Sequence, residues 1–334
     1  MQVYEIQSGP GGPDSLILAD HPEPMLQAGQ VLVKMHAAAL NYRDLQVLRG
    51  TYGVQPTVPL SDGAGEIVAT AKDVTRWQVG DRVTGIFRQT FISGELTPEN
   101  AASALGGETN GVLAEFKAFD QQGLVKIPDH LSYEEAATLP CAAVTAWNAL
   151  ITEGQLKAGE TVLLLGTGGV SVFALQFAKL MGAKVFITSS TNEKLKQAYD
   201  LGADVGINYN TTPRWDIELQ ALTNGRGLDN IVELGGSATL PKSLRAAGYG
   251  GKIELVGVIS GTVSELDITL ILGKRLRIQG ISVGSRDSFE EMNRAIVQQK
   301  MRPIIDRVFP FKEAKAAMAY LERGAHFGKV VVTI

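Results

Sequence analysis

Residues 161–171 read Thr161-Val162-Leu163-Leu164-Leu165-Gly166-Thr167-Gly168-Gly169-Val170-Ser171, and this stretch decides the fold. The run 161–165 is apolar and strand-sized, and 170–181 has helical texture. Between them stands a Gly-x-Gly turn. The first glycine permits a tight turn, and the second lets the backbone approach a pyrophosphate. The amides at the helix start then hold the anion. The third glycine of the full fingerprint is replaced by Ser171, which is still small enough for close helix–strand packing. An ordinary strand-to-helix turn has the same local pattern, so the neighbours must decide. Strand-like runs recur at 184–188, 205–208, 229–234, 252–256 and 277–281, with helical runs at 192–201 and 215–223. Such alternation predicts an α/β protein with a doubly wound parallel sheet, a Rossmann domain.

The end of the second strand selects the cofactor. An NAD site places an acid on the ribose hydroxyls about 20 residues after the glycines. Here the chain reads Ile187-Thr188-Ser189-Ser190-Thr191, with Lys194 in the next helix and Tyr209 after the third strand. Hydroxyls and a cation suit a ribose 2′-phosphate, which points to NADPH. In the competing reading, Ser189 and Ser190 cap the helix and Lys194 is a solvated surface charge.

Outside this region the texture differs. The N-terminal third is β-rich, with strands at 30–35 and 66–70, glycines at Gly63 and Gly65, and a turn into a strand at 79–83. It predicts a barrel-like or sandwich module. Residues 88–110 lack periodicity and read as a long surface excursion. Ser132 with Glu135 signals a helix start. The tail is helical at 288–300 and 311–321 and ends in a strand at 329–334, expected to return to the first domain.

Composition narrows the class. The chain has 334 residues and a net charge of −4, with 45% hydrophobic and 20% charged residues. This excludes a strongly basic nucleic-acid binder and a disordered chain. The single cysteine, Cys141, excludes an intrachain disulfide and any cysteine-only zinc site. No apolar run is long enough to span a bilayer, and the start lacks a secretory pattern; a cytoplasmic setting is expected.

The motifs together carry a resemblance. They are Leu40-Asn41-Tyr42-Arg43-Asp44, Pro59-Leu60-Ser61-Asp62-Gly63-Ala64-Gly65-Glu66, Val79-Gly80-Asp81-Arg82-Val83, Ala137-Thr138-Leu139-Pro140-Cys141, the glycine turn, and His326-Phe327-Gly328-Lys329-Val330-Val331. Over nearly its whole length the chain resembles the medium-chain dehydrogenase/reductase superfamily. The resemblance implies a GroES-like β-rich catalytic domain at 1–126 and 283–334, and a Rossmann NADP(H)-binding domain at 127–282. Zinc alcohol dehydrogenases carry a cysteine at the place of Asn41, a histidine at that of Ser61 and an acid at Asp62. A third ligand, often cysteine, matches Cys141. One ligand type survives, so no metal is expected and Cys141 reads as a buried small residue. His21, His36, His130 and His326 lack ligand spacing and are expected to pack or lie at the surface.

What remains resembles the zinc-free quinone oxidoreductase branch. It implies hydride transfer from NADPH to a quinone or conjugated carbonyl, with hydrogen-bond donors in place of a metal. The resemblance makes Asn41, Tyr52 and Arg43 the catalytic candidates. Asn41 would meet the nicotinamide ribose or the acceptor, Tyr52 would donate a phenol, and Arg43 would steer an anionic substrate or form a surface salt bridge. It places Thr145, Val258, Ile259, Ser260, Ser282 and Val283 near the nicotinamide, with Phe327 and Lys329 closing the site. Gly166, Thr167, Gly168, Gly169 and Val170 would hold the phosphates, and Ser189, Ser190, Lys194 and Tyr209 the 2′-phosphate. The alternatives are a zinc-free alcohol/aldehyde dehydrogenase and an NADPH-binding protein with little turnover. Substrates are small molecules (a quinone, enone or aldehyde), with no nucleic acid or membrane partner. Relatives pair Rossmann sheets edge to edge, so a homodimer is expected through 277–282.

Overall fold

The apolar run beginning at Val31 forms the Gln30–Ala39 strand, whose Val31, Val33 and Met35 are buried. It lies at the middle of a seven-stranded sheet in the computed structural model, which describes residues 1–7, 11–53 and 56–334. The chain divides into two compact units, Met1–Val144 with Gly284–Ile334, and Thr145–Val283.

In the first unit the sheet runs Ile305–Pro310, Lys329–Thr333, Gln30–Ala39, Asp62–Thr70, Arg82–Gly85 and Leu124–Lys126, with Phe116–Asp120 also paired to Gln30–Ala39. The tail returns as expected: Val331 pairs with Ala39 and Thr333 with Ala37, antiparallel. The second strand starts at Asp62 and runs through Gly63 and Gly65, rather than after them. Both glycines are needed for close approach, since a Cβ on Gly65 would lie 2.1 Å from the Lys34 carbonyl oxygen.

Residues 88–110 are not a surface excursion throughout, which corrects the sequence expectation. Phe91, Ala104 and Leu105 are buried, and Leu105 joins the core with Leu45, Leu60, Val112 and Phe119. The segment folds back through isolated pairings of Arg88 with Ala104 and Leu105 with Thr109. Single bridges leave no periodic pattern to read.

The second unit holds a six-stranded sheet in the order Val205–Asn208, Lys184–Ser189, Thr161–Leu164, Leu228–Glu233, Ala247–Leu255, Arg277–Gly280. Every pairing is parallel. This is the doubly wound order, and the order in which strands are added switches sides between Thr161–Leu164 and Leu228–Glu233. Leu163, Phe186 and Ile231 pack with Trp215, Leu219 and Leu244 to form its core. Sequence reading missed the helices Leu240–Ala246 and Ile268–Lys274. Each has only seven residues, too short to establish a period. No helix among the described residues is long and apolar enough to cross a membrane.

Candidate functional site

In the second unit the glycine turn leads from Thr161–Leu164 into the Gly169–Leu180 helix. Gly166 has φ +77°, which a side chain would strain, and Gly168 caps the helix. A Cβ on either would meet nothing within 4 Å, so the outer face of the turn is open. Ser171 is fully buried and donates to the Leu165 carbonyl at 2.8 Å, which locks the helix against its strand. The Gly166 N–H donates to Thr188 Oγ1 at 3.2 Å, and Thr167 and Ser189 share a hydroxyl bond of 3.1 Å. The open turn, its free front and the helix N-terminus make a cradle suited to a dinucleotide pyrophosphate.

The cap of the Asn192–Asp200 helix is Thr191, whose hydroxyl accepts from the Lys194 N–H at 3.3 Å. The alternative in which Ser189 and Ser190 cap this helix is therefore corrected. Ser189 is buried against Thr167, whereas Ser190 is partly exposed and Tyr209 is 39% exposed. Sequence reading missed Asn208 and Asn210. Asn208 Nδ2 donates to Asn192 Oδ1 at 2.9 Å, and Asn210 Nδ2 donates to the Ser190 carbonyl at 2.9 Å. The Asn208-Tyr209-Asn210 run was the available signal.

Two further loops are tied down at the carboxyl ends of the central strands. Buried Glu233 accepts from the N–H groups of Gly235 and Gly236, at 2.8 and 3.1 Å, and from the hydroxyls of Thr239 and Ser243. Ser260 Oγ donates to the Gly235 carbonyl at 2.7 Å and accepts from the Ala238 N–H at 2.9 Å. Val258 and Ile259 are left exposed beside it, at 40% and 56%. Ser282 is exposed, while Val283 is buried with φ +58°, a strained geometry for a β-branched residue. Asn148, not singled out from sequence, holds it by donating to its carbonyl at 2.7 Å. Thr145 is buried five residues after Pro140, in a run with wide helical winding on either side of Val144–Trp147.

In the first unit a charged cluster is buried around Cys141. Asn41 precedes the Tyr42–Leu48 helix, and its N–H donates to Asp44 Oδ2 at 2.7 Å. Lys329, 3% exposed, donates from Nζ to the Leu40 carbonyl at 2.6 Å and to Asn41 Oδ1 at 2.5 Å. Asn41 Nδ2 is buried without a hydrogen bond of ordinary geometry, and the Asn41 amide acts on the Asp62 carboxylate. Asp62 is fully buried and accepts from Ser61 Oγ at 2.6 Å and from the Cys141 N–H at 3.1 Å. Burial raises its carboxyl pKa, against the pull of Lys329 and of hydrogen bonding from Ser61, the Asn41 amide and the Cys141 N–H. Burial also pushes Asp44 up to about 6, with Arg43 opposing and Asp62 reinforcing the shift. The Cys141 thiol is driven above the usual thiol range by burial and by the Asp62 carboxylate.

Arg43 is not at the surface. It is 8% exposed, between the rings of Tyr52 and Phe87 at 4.5 and 5.0 Å. The surface salt bridge considered from sequence is replaced by a buried 3.3 Å contact with Asp44 Oδ1. Phe327 is buried, and its N–H donates to Asp306 Oδ1 at 3.0 Å. Among the described residues no three His, Cys, Asp or Glu side chains are grouped to hold a metal. The Asn41, Ser61, Asp62 and Cys141 set does not fit zinc. It offers an amide and a hydroxyl, a carboxylate already accepting two hydrogen bonds, and a thiol held in its protonated form.

The comparisons with known proteins agree with this anatomy. Residues 27–129 match the alcohol dehydrogenase GroES-like domain, and residues 169–298 match the zinc-binding dehydrogenase family. A zinc-type alcohol dehydrogenase-like protein of Schizosaccharomyces pombe is 42% identical, over 99% of this chain and 99% of its own. The human quinone oxidoreductase is 28% identical, over 100% and 97%. The fold is similar to that of a Sinorhizobium meliloti 1021 protein named as a candidate alcohol dehydrogenase, with TM-score 0.94 and 40% identity over 100% of this chain and 98% of that one. It is also similar to mycobacterial Rv1454c in complex with NADPH, with TM-score 0.85 and 27% identity over the full length of both chains. With a GroES-like sheet joined by its own C-terminal strand and a doubly wound sheet bearing the glycine turn, the chain belongs to the medium-chain dehydrogenase/reductase superfamily and is an NAD(P)H-dependent oxidoreductase.

Proposed function

We propose that this oxidoreductase works without zinc and uses NADPH to reduce quinones or carbonyl-conjugated alkenes. The observation that carries the reading is the Lys329 ammonium bonded to Asn41 Oδ1, at the position where zinc enzymes of the family bear a ligand. A committed Oδ1 leaves Nδ2 as the donor side of a buried amide. When an acceptor oxygen lies against Nδ2, negative charge developing on it meets a donor polarised by the ammonium. Such preorganised donors stabilise an enolate-like state without a Lewis acid. An unactivated alcohol gains less, because its alkoxide then lacks a metal.

The nicotinamide cofactor supplies the hydride. The Gly166–Gly168 turn holds its pyrophosphate, and Ser190, Lys194 and Tyr209 favour the 2′-phosphate because no acid stands at the end of the Lys184–Ser189 strand. The NADPH bound to Rv1454c supports the same choice. A second reading, alcohol oxidation without metal, is favoured by the name of the Schizosaccharomyces pombe relative.

The test is NADPH consumption by metal-analysed protein with a benzoquinone, a naphthoquinone, an enone and an aldehyde, with NADH in parallel. Turnover of a quinone or enone, NADPH preference and indifference to chelators are expected. Stoichiometric zinc with chelator-sensitive activity would overturn the reading. Oxidation of alcohols by NADP⁺, with quinones and enones inert, would favour the second.

A further inference from the structure

Val283 is held in a conformation that a β-branched residue does not adopt unaided. Its φ is +58° and its side chain is buried. Asn148 opens the wide helical turn Asn148–Glu153, and its Nδ2 donates to the Val283 carbonyl at 2.7 Å across 135 positions of sequence. The Val283 N–H itself donates no hydrogen bond to any described residue. A buried residue seldom leaves its backbone donor idle. Strained backbone of this kind gathers at ligand sites, and so do wide helical turns.

The position of this turn in the sheet says which ligand. Three neighbouring parallel strands end in pinned loops at one edge. After Leu228–Glu233, the Glu233 carboxylate holds the Gly235 and Gly236 N–H groups. After Ala247–Leu255, Ser260 is tied to Gly235 and Ala238. After Arg277–Gly280, the Ile281 N–H donates to the Leu255 carbonyl at 2.9 Å, and Val283 follows in the grip of Asn148. These are carboxyl ends of strands, where doubly wound sheets seat their ligands. The glycine turn leaves Thr161–Leu164 at the same edge, and Ser190 and Tyr209 follow the two strands on its far side. A dinucleotide with its pyrophosphate at the turn and its adenosine end at Ser190 and Tyr209 lays its nicotinamide end over the three pinned loops. Exposed Val258 and Ile259 give that end an apolar surface.

We infer that Asn148 is a positioning residue for the nicotinamide: its hydrogen bond holds Val283 at positive φ and so keeps the Val283 N–H for the amide carbonyl of the cofactor rather than for a partner in the protein. Without the Asn148 donor, Val283 relaxes to negative φ, which turns the peptide groups beside it and withdraws the N–H. The inference rests on the seating of the cofactor proposed above and is independent of which acceptor is reduced.

The experiment measures Kd by calorimetry for NADPH and for 2′-phosphoadenosine diphosphate ribose, the same cofactor without its nicotinamide. NADH and adenosine diphosphate ribose form a parallel pair, so a protein that prefers NADH is tested equally. The native protein should bind the whole cofactor more tightly than the fragment by about 10-fold or more. Asn148→Ala and Asn148→Asp should each weaken the whole cofactor by about 10-fold and leave the fragment within about 2-fold. Aspartate keeps the size of asparagine and loses the donor, so equal losses assign the effect to the hydrogen bond. Adding Val283→Gly to Asn148→Ala should recover at least about 3-fold in affinity for the whole cofactor, because glycine takes a positive φ without being held. A merely structural asparagine would lower the melting temperature and weaken both ligands alike or neither, and either result would overturn the inference. If the native protein binds neither member of a pair, the seating of the cofactor fails and the inference falls with it. Should the Asn148 variants not fold, hydrogen exchange in the native protein decides. The whole cofactor, but not the fragment, should slow exchange of the Val283 amide by about 10-fold or more, and equal exchange in the two complexes would overturn the inference.

Discussion

Lys329 and Asn41 show how one contact can set the polarity of a site. Because Nζ donates to Asn41 Oδ1, the amide has one orientation and its donor side faces away from the ammonium. Lys329→Met removes the cation and leaves Asn41 Oδ1 and Asp62 buried without it. The expected outcome in steady-state assays is a loss of roughly 10- to 100-fold in kcat/KM for a quinone or enone. A lower melting temperature should accompany it, since a buried carboxylate loses its counter-charge. Lys329 was legible as a motif residue, but its partner was not, because 288 positions separate the two. Ser190 offers a second test at this scale. Ser190→Asp places a carboxylate where an NAD enzyme carries one, repelling a 2′-phosphate and accepting from ribose hydroxyls. The NADPH-to-NADH ratio of kcat/KM should fall by about 30-fold or more.

Among the elements, the Rossmann strands were the most readable, because buried parallel strands are short apolar runs bounded by turn residues. The same strands conceal a polar residue that no periodicity exposes. Glu254, in Ala247–Leu255, is 1% exposed with Oε2 unpaired. Burial raises its pKa from 4.5 to about 7, with Lys252 opposing and Glu153 adding to the shift. The folded protein therefore binds this proton more tightly than the unfolded chain does. Stability should decline as pH rises from 4.5 to about 7 and level off above that. Glu254→Gln should remove this slope. Calorimetry should show a melting temperature raised by roughly 2–6 °C at pH 8 and little changed at pH 4. The glycine turn gives the element-scale counterpart for cofactor binding. Gly166→Ala puts a Cβ at φ +77° on the open face. The KM for NADPH should rise at least about 10-fold, for a backbone strain of only about 1–2 kcal/mol.

At the scale of the whole molecule, the chain's assembly remains to be tested. The edge strand Arg277–Gly280 has all four residues exposed, including Ile278 at 36%. Exposed edges invite pairing, and we propose that this one pairs with its copy in a homodimer. Light scattering at micromolar concentration should give the mass of two chains, and Ile278→Asp should shift it toward one. A single-chain mass for the unmodified protein would remove the proposal. The first unit shows why the C-terminal segment belongs to the N-terminal fold: Lys329–Thr333 lies between Ile305–Pro310 and Gln30–Ala39. The strand's apolar Val330-Val331-Val332 run signalled its type. Its return to the first domain was expected, but its neighbours in the sheet are set by the fold and have no local pattern.

The sequence by itself determined the doubly wound domain and the glycine turn, because these depend on local patterns and on residue identity; the positions that bear zinc ligands in other family members were read through the resemblance. The capping pair Ser132 and Glu135 was legible for the same reason, and both of its hydrogen bonds are present. Only the tertiary structure decided that Arg43 is buried between the rings of Tyr52 and Phe87 and that Lys329 reaches Asn41. It alone showed that Leu105 anchors an apparent surface loop, and that Thr191 rather than Ser189 caps its helix. Burial and pairing join residues far apart in the chain. They are set by which strands lie side by side, and strand order leaves no trace in a local window of sequence.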